Sequence, residues 1–194
     1  MRALLLGLLL TPMVWAETRF YEVEVLVFQN EQDPLAVAEQ IERGLSPVTR
    51  STQMLGLDAQ LEEGFAVLAP YPAEQRQLNA EAATLRAQGR NVLFHEKWLH
   101  GMKPKGQDLA VSIFGGQDLG YGRGFELQGS IRFSIARFIE ADVDLVTQHI
   151  IDGSELGPYT ARLKETRRSR SGVVHYLDHP MLGVLITYTR TEDS

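Results

Sequence analysis

The sequence predicts a single α+β domain in which two helices pack on a mostly antiparallel β-sheet. Several segments alternate apolar and polar residues with period two, which is typical of strands that have one buried face. One segment is rich in Ala, Leu, Glu, Gln and Arg and ends at a glycine, which is typical of a helix. Residues 17–194 are numerous enough to bury one hydrophobic core, and they show neither an internal repeat nor a long linker.

The strands are predicted from this alternation. The first covers residues 19–28, where valines alternate with glutamates, and another covers residues 125–135. The pattern continues to residue 145, either as one strand that bends near Arg137 or as two strands that meet there in a turn without Gly or Pro. A helix is the less favoured alternative, because Asp142 would interrupt its apolar face. Further strands are predicted at residues 91–99, 108–114, 159–170, 172–177 and 183–189.

Two helices are predicted from their end signals. The first runs from Asp33 to Gly44, because Asp33 is a favourable N-cap and a proline follows it in the first turn. The second runs from Ala73 to Gln88 and stops at a glycine. One face of this second helix would be apolar, formed by Leu78, Ala82 and Leu85.

The N-terminal segment has the features of an export signal. Arg2 supplies a positive charge, residues 3–10 are apolar, and Val14-Trp15-Ala16 is a suitable cleavage site. We therefore expect residues 1–16 to be removed and the mature protein, residues 17–194, to work in a bacterial periplasm. The apolar run is too short to span a bilayer, and the chain has no cysteine for a disulfide or a lipid anchor. Hence no membrane insertion is expected.

The charge distribution argues against nucleic acid as a partner but leaves one basic segment to explain. The formal net charge is −6 at pH 7, whereas nucleic-acid binders rely on cations that neutralise phosphates. Residues 162–170 nevertheless contain five cations. A solvated face is the ordinary explanation. The alternative is binding of carboxylates by arginine, for which alternation on a strand would place Arg168 and Arg170 on one face and Arg167 on the other.

A motif near the C-terminus contains residues that could bind metal or catalyse hydrolysis. His175, Asp178 and His179 are possible zinc ligands, but residues four apart share a face only on a helix, and this segment reads as a strand. Asp178 and Pro180 are better explained as turn residues, and Tyr176 lies within the same hairpin. No Gly-x-Ser-x-Gly motif accompanies the histidines. We therefore expect a structural motif, no catalytic residue, no metal and no cofactor.

Trp98 and a glycine-rich segment have two readings each. Trp98 is either a core residue of its strand, the more common case, or a platform for a sugar ring. Five glycines lie within residues 115–124, but no Gly-Lys-Ser/Thr sequence follows, so this is not a phosphate-binding loop. A mobile or tightly turning loop is expected there.

Three segments in order along the chain resemble a known family. These are residues 21–28, residues 92–98, and above all residues 167–186 with His175-Tyr176-Leu177-Asp178-His179-Pro180. Together they are similar to the CsiV family of periplasmic peptidoglycan-binding proteins. The third segment is the most specific of the three.

The resemblance implies a non-enzymatic role. It implies binding of peptidoglycan, with Arg168, Arg170 and Trp98 as candidate contacts, and support of a bifunctional penicillin-binding protein through an outer-membrane lipoprotein activator. No catalytic residue is implied by the family. The competing hypotheses are a periplasmic metal-dependent or cell-wall hydrolase that uses His175, Asp178 and His179, and a structural chaperone or subunit without affinity for glycan.

Overall fold

The computed structural model describes residues 18–30, 36, 39, 41–44, 53–55, 66–150 and 157–191. These residues form two β-sheets packed face to face, with one α-helix on the outside of the smaller sheet. The helix, α1, is Asn79–Ala87, preceded by a 3₁₀ turn at Ala73–Gln75. The strands are β1 (Arg19–Gln29), β2 (Ile41–Arg43), β3 (Gln53–Leu55), β4 (Ala66–Leu68), β5 (Val92–Met102), β6 (Ala110–Asp118), β7 (Phe125–Ile135), β8 (Ile139–His149), β9 (Tyr159–Ser169), β10 (His175–His179) and β11 (Leu182–Arg190).

The two sheets differ in size and connectivity. The first sheet has the order β10-β11-β1-β5 and is antiparallel throughout. The second has the order β2-β9-β8-β7-β6-β3-β4, antiparallel from β2 to β6 and parallel at β3 and β4. Strand β1, from the first part of the chain, thus lies between β5 and the last strand, β11.

The main core fills the space between the sheets. Alternate residues of β1 and β11 point inward and meet the inner faces of β7 and β8, so the period-two alternation of the sequence matches burial. A smaller cluster lies on the outside of the first sheet, where Leu26 and Phe28 of β1 pack against Leu78 and Ala82 at helix α1. Because of this second cluster, the face of β1 that carries Glu24 is buried as well.

The prediction of an α+β fold with two helices is wrong. The structure is mostly antiparallel β, and its described residues include one α-helix. Residues 41–43, expected to end the first helix, form strand β2 and pair with Tyr159–Ala161 of β9. Most of the remaining predicted helix, residues 33–40, lies outside the described residues, as do the predicted signal peptide (1–16) and the start of the mature chain at Glu17.

The second predicted helix is correct in place but begins six residues later than expected. Arg76 is extended, and the backbone N–H groups of Gln77 and Leu78 donate hydrogen bonds to the Glu24 carboxylate at 2.6 and 2.8 Å. His95 Nε2 lies 2.8 Å from the same carboxylate. Helix α1 has no cap from its own first residues, so Glu24 of strand β1 performs this role.

The strand predictions are otherwise largely confirmed. Strand β7 has the predicted bounds. Of the two alternatives for the region around Arg137, the structure has two strands rather than one bent strand, because residues 136–138 form a tight turn between β7 and β8. The predicted hairpin within residues 167–186 is also present, as β10 and β11. None of the helices in the described part of the chain has the length and hydropathy that a bilayer crossing requires.

Candidate functional site

The outer face of the second sheet carries rows of opposite charge, and we call it the ionic face. Residues directly opposite each other on antiparallel strands point to the same side of a sheet. Glu140 of β8 is opposite Arg168 of β9, and Asp144 is opposite Lys164. A row of carboxylates on β8 therefore runs beside a row of cations on β9, which is the basic segment noted in the sequence.

Hydrogen bonds between these rows fix the positions of the cations. Arg162 forms a bidentate pair with Asp144, at 2.7 Å from Nε to Oδ1 and 2.6 Å from Nη2 to Oδ2. Glu140 accepts hydrogen bonds from Arg168 Nε at 3.3 Å and from Lys105 Nζ at 3.0 Å. Exposed pairs of this kind contribute little to stability. Their main effect is to hold long side chains in place.

One end of the ionic face opens into a cleft around Phe138, which we call the Phe138 cleft. It consists of two adjoining grooves of about 360 Å³ and about 310 Å³ that share Phe138 and Arg168. Its apolar part is formed by the β7–β8 turn, including Phe138, whose side chain is partly exposed. Four cations surround the cleft: Lys105, Arg137, Arg168 and Arg170.

Four cations and one carboxylate, Glu140, line the cleft, so its lining has a positive balance in an acidic protein. A second carboxylate, Asp142, lies beside it, 4.0 Å from Lys105 Nζ. Hydrogen bonds from Lys105 and Arg168 lower the pKa of Glu140, and the bond to Glu140 raises the pKa of Lys105. Within the part of the chain that the structure describes, neither Arg137 nor Arg170 forms an ion pair. The guanidinium of Arg137 instead lies over the Phe138 ring, 5.5 Å from its centroid.

Local backbone contacts explain how the cleft is built. The N–H of Ala136 donates to the carbonyl of Phe138 at 3.1 Å and closes the turn, while Ile135 N–H donates to Lys103 O at 2.9 Å and brings the 103–107 loop alongside. Arg170 follows β9, and His175 Nε2 lies 3.0 Å from both its backbone nitrogen and its backbone oxygen. His175 thus helps to hold Arg170 at the mouth of the cleft.

The remaining motif residues organise the β10–β11 hairpin. Asp178 accepts a hydrogen bond from the Tyr176 hydroxyl at 2.6 Å, and the backbone N–H of Met181 donates to His179 Nδ1 at 3.1 Å. Pro180 and Met181 form the turn between the paired ends of the two strands. All of these contacts lie within the hairpin itself.

The motif does not bring its titratable groups together. Asp178 pairs with Gly183 in register, whereas His175 and His179 pair with Ile186 and Leu182, so the aspartate points to the opposite side of the sheet from both histidines. Burial lowers the pKa of His179. Among the residues that the structure describes, no three His, Asp or Glu side chains are placed to hold a metal ion.

Trp98 is fully buried between the two sheets. Its ring packs edge-on against Phe133, with centroids 6.0 Å apart, and its Nε1 donates to His100 Nδ1 at 3.4 Å. The ring therefore has no face in solvent on which a sugar could stack. His100 is buried with it, and this burial lowers the pKa of His100 to about 4.

Sequence reasoning identified Arg168 and Arg170, which the structure brings to one cleft, but it missed Lys105, Arg137 and Phe138. A signal was present for two of these: Arg137 breaks the apolar alternation, and an aromatic residue follows it. Lys105 had no such signal, since it reaches the cleft through a pairing of Lys103 with Ser134.

A protein-family model described as "Peptidoglycan-binding protein, CsiV" matches residues 1–191 of the chain. The protein belongs to the CsiV family. The resemblance noted from the three segments is thereby confirmed, and the match extends over the whole described fold. Comparisons with curated proteins and with solved structures gave no match. The CsiV family consists of peptidoglycan-binding proteins, so the ligand expected for a surface of this chain is peptidoglycan.

Proposed function

We propose that this CsiV-family protein is a non-enzymatic periplasmic adaptor that binds the stem peptides of peptidoglycan in the Phe138 cleft. The observation that carries the proposal is the concentration of four cations around an apolar surface in a protein with a net charge of −6. Arg168 and Arg170 bind stem carboxylates, and Phe138 packs against the alanine methyl groups of the stem.

The chemistry of the cleft fits such a ligand. Guanidinium groups donate two parallel hydrogen bonds to a carboxylate, and a hydrogen bond to a charged group is stronger than one between neutral groups. Arg137 and Arg170 have no carboxylate partner among the described residues, so they bind an anion without first breaking an ion pair. Arg168 and Lys105 share Glu140 and supply further positive potential.

Several observations support a role without catalysis. The family is described by its binding of peptidoglycan. The residues of the competing hydrolase hypothesis, His175, Asp178 and His179, lie on two sides of a strand. His175 contacts the backbone of Arg170 after β9, whereas Asp178 and His179 have hydrogen-bond partners within the hairpin. The periplasmic location is supported by the signal-like residues 1–16. Support of a penicillin-binding protein through a lipoprotein activator rests on the resemblance to the family.

The cleft is tested by co-sedimentation with purified sacculi. The test variant is Arg168→Glu/Arg170→Glu. The matched control is Arg162→Glu/Lys164→Glu, which makes the same change in charge on the same strand and face but outside the cleft. Because each lost charge-assisted hydrogen bond costs about 1.5–3 kcal/mol, we expect at least a roughly tenfold weaker affinity for the test variant. The control should lose much less.

Salt provides a second measure. Binding through exposed cations should weaken as salt rises, since the screening length is about 8 Å at physiological ionic strength. Circular dichroism shows whether both variants are folded. Equal binding of the test variant and the wild type, or equal losses in both variants, would contradict the cleft as the site.

The adaptor role has a separate test with purified components. If the protein recruits the lipoprotein activator to the wall, it should increase the amount of activator that sediments with sacculi. No increase at saturating protein would contradict the adaptor role while leaving the binding of peptidoglycan untouched.

A further inference from the structure

The loop between β6 and β7 presents a fully exposed aromatic side chain. Tyr121 is 99% exposed, whereas the next most exposed aromatic ring among the described residues, Phe20, is 44% exposed. The loop occupies the tip of the hairpin, opposite in direction to the β7–β8 turn. Since most tyrosines bury part of their ring, a ring held entirely in solvent has no role in the packing of this chain.

The backbone at Tyr121 is also unfavourable for a tyrosine. Its φ is +52°, in the left-handed region that costs an ordinary residue about 1 kcal/mol or more relative to glycine. Its neighbours Gly120, Gly122 and Gly124 take positive φ values as glycines. Among the described residues, Tyr121 is the one non-glycine position with positive φ. A large side chain at such a position indicates that the ring has a role in binding.

The loop is held in a defined shape. Leu119 N–H donates to Gly124 O at 2.8 Å, and Arg123 N–H donates to Gly120 O at 3.0 Å. The buried Gln148 side chain donates to the carbonyl of Arg123 at 3.3 Å, which anchors the loop to strand β8. The expectation of a tight turn fits these contacts, so the ring is presented in advance of binding.

The ring is open to solvent, and one cation lies close to it. The Arg123 guanidinium lies 5.3 Å from the centroid of the Tyr121 ring. A sugar ring presents a surface of C–H groups, which pack favourably on the electron-rich face of an aromatic ring. The neighbouring guanidinium can donate hydrogen bonds to sugar hydroxyl or N-acetyl oxygens.

We propose that Tyr121 and Arg123 form a second contact with peptidoglycan, one that binds its glycan strand by stacking on a sugar ring. This inference rests on the proposed function, and it assigns to Tyr121 the platform role that burial denies to Trp98. Strand β7 separates the two contacts: its 11 residues, at about 3.4 Å each, span roughly 35 Å. A single polymer that engages both ends is held by both, because the second contact forms at high effective concentration.

The test uses glycan strands freed of stem peptides by an amidase, with binding measured by calorimetry. We expect Tyr121→Ala to weaken binding of these strands by about fivefold or more, and Tyr121→Phe to retain it. The matched control is Phe20→Ala, which removes another exposed ring and should bind normally.

A second variant separates stacking from folding. Tyr121→Gly suits the positive φ, so its melting temperature should equal or exceed that of the wild type while its binding of glycan strands is weakened as much as in Tyr121→Ala. Normal binding of glycan strands by Tyr121→Ala or Tyr121→Gly would overturn the inference. If the wild type bound intact sacculi but not peptide-free strands, the glycan contact at Tyr121 would be contradicted, while the proposed binding of stems in the Phe138 cleft would stand.

Discussion

Protonation of His100 should make the protein sensitive to mild acid. The side chain is buried between the two sheets, and its ring packs against Phe133 with centroids 5.2 Å apart. Burial disfavours the charged imidazolium and lowers the pKa of His100 to about 4, against 6.5 for an exposed histidine. The folded protein therefore binds this proton less readily than the unfolded chain does. Stability is complete above pH 6.5 and is lost as the pH falls from 6.5 towards 4.

The size of the effect follows from the two pKa values. Each unit of difference corresponds to about 1.4 kcal/mol, so the full loss below pH 4 is about 3 kcal/mol. Between pH 7 and pH 5 the unfolded chain becomes almost fully protonated while folded His100 stays neutral, and the loss is about 2 kcal/mol. This is a large share of the 5–15 kcal/mol that is typical of a folded domain.

The assay is urea denaturation at pH 7 and pH 5 of the wild type and of His100→Gln. Glutamine keeps an acceptor for Trp98 Nε1 but has no charge to gain. The free energy of unfolding should fall by about 2 kcal/mol more in the wild type than in the variant. His149 and His179, whose pKa values burial also lowers, contribute equally to both proteins. Equal losses in the two proteins would refute the argument.

Two further predictions concern the helix cap and the cleft. Burial opposes ionisation of Glu24, yet its hydrogen bonds from His95 and Leu78 lower its pKa. Glu24→Gln replaces one acceptor oxygen by a donor and should lower the free energy of unfolding, measured in urea at pH 7, by about 2 kcal/mol. A change below about 0.5 kcal/mol would contradict the role of Glu24 as the helix cap. Glu140→Gln removes the carboxylate of the Phe138 cleft and should strengthen binding to sacculi by about threefold at low salt, whereas weaker binding would mean that Glu140 is needed to position Arg168.

The strands could be predicted from the sequence because burial on one face imposes a local pattern. The bounds of β7 were visible in its alternation, and alternation also separated Arg168 from Arg167 on the two faces of the next basic strand, β9. What the pattern did not reveal was the partner across the sheet. The bond from Arg168 to Glu140 depends on the register of β8 and β9, which is set by the packing of both sheets.

The errors have the same origin in long-range contacts. Helix α1 begins at Asn79 rather than Ala73 because a carboxylate from β1, more than fifty positions away, takes the preceding N–H groups. Residues 41–43 form a strand because β9 offers them an edge. Trp98 shows the limit for site residues: its type is compatible with a core position, the more common case, and with a sugar platform, and only its place between the sheets distinguishes the two.

The central position of β1 in the first sheet has a consequence for the order of folding. Tyr21 pairs with Arg190 and Val27 with Val184, so one side of β1 stays unpaired until nearly the whole chain is present. Contacts this distant in sequence make folding slow, because the chain must close a long loop before they form. The first sheet of a newly made chain would thus stay incomplete until β11 has been synthesised. For a protein that we propose is exported, this delay would keep the polypeptide in a translocation-competent state until it reaches the compartment where it folds.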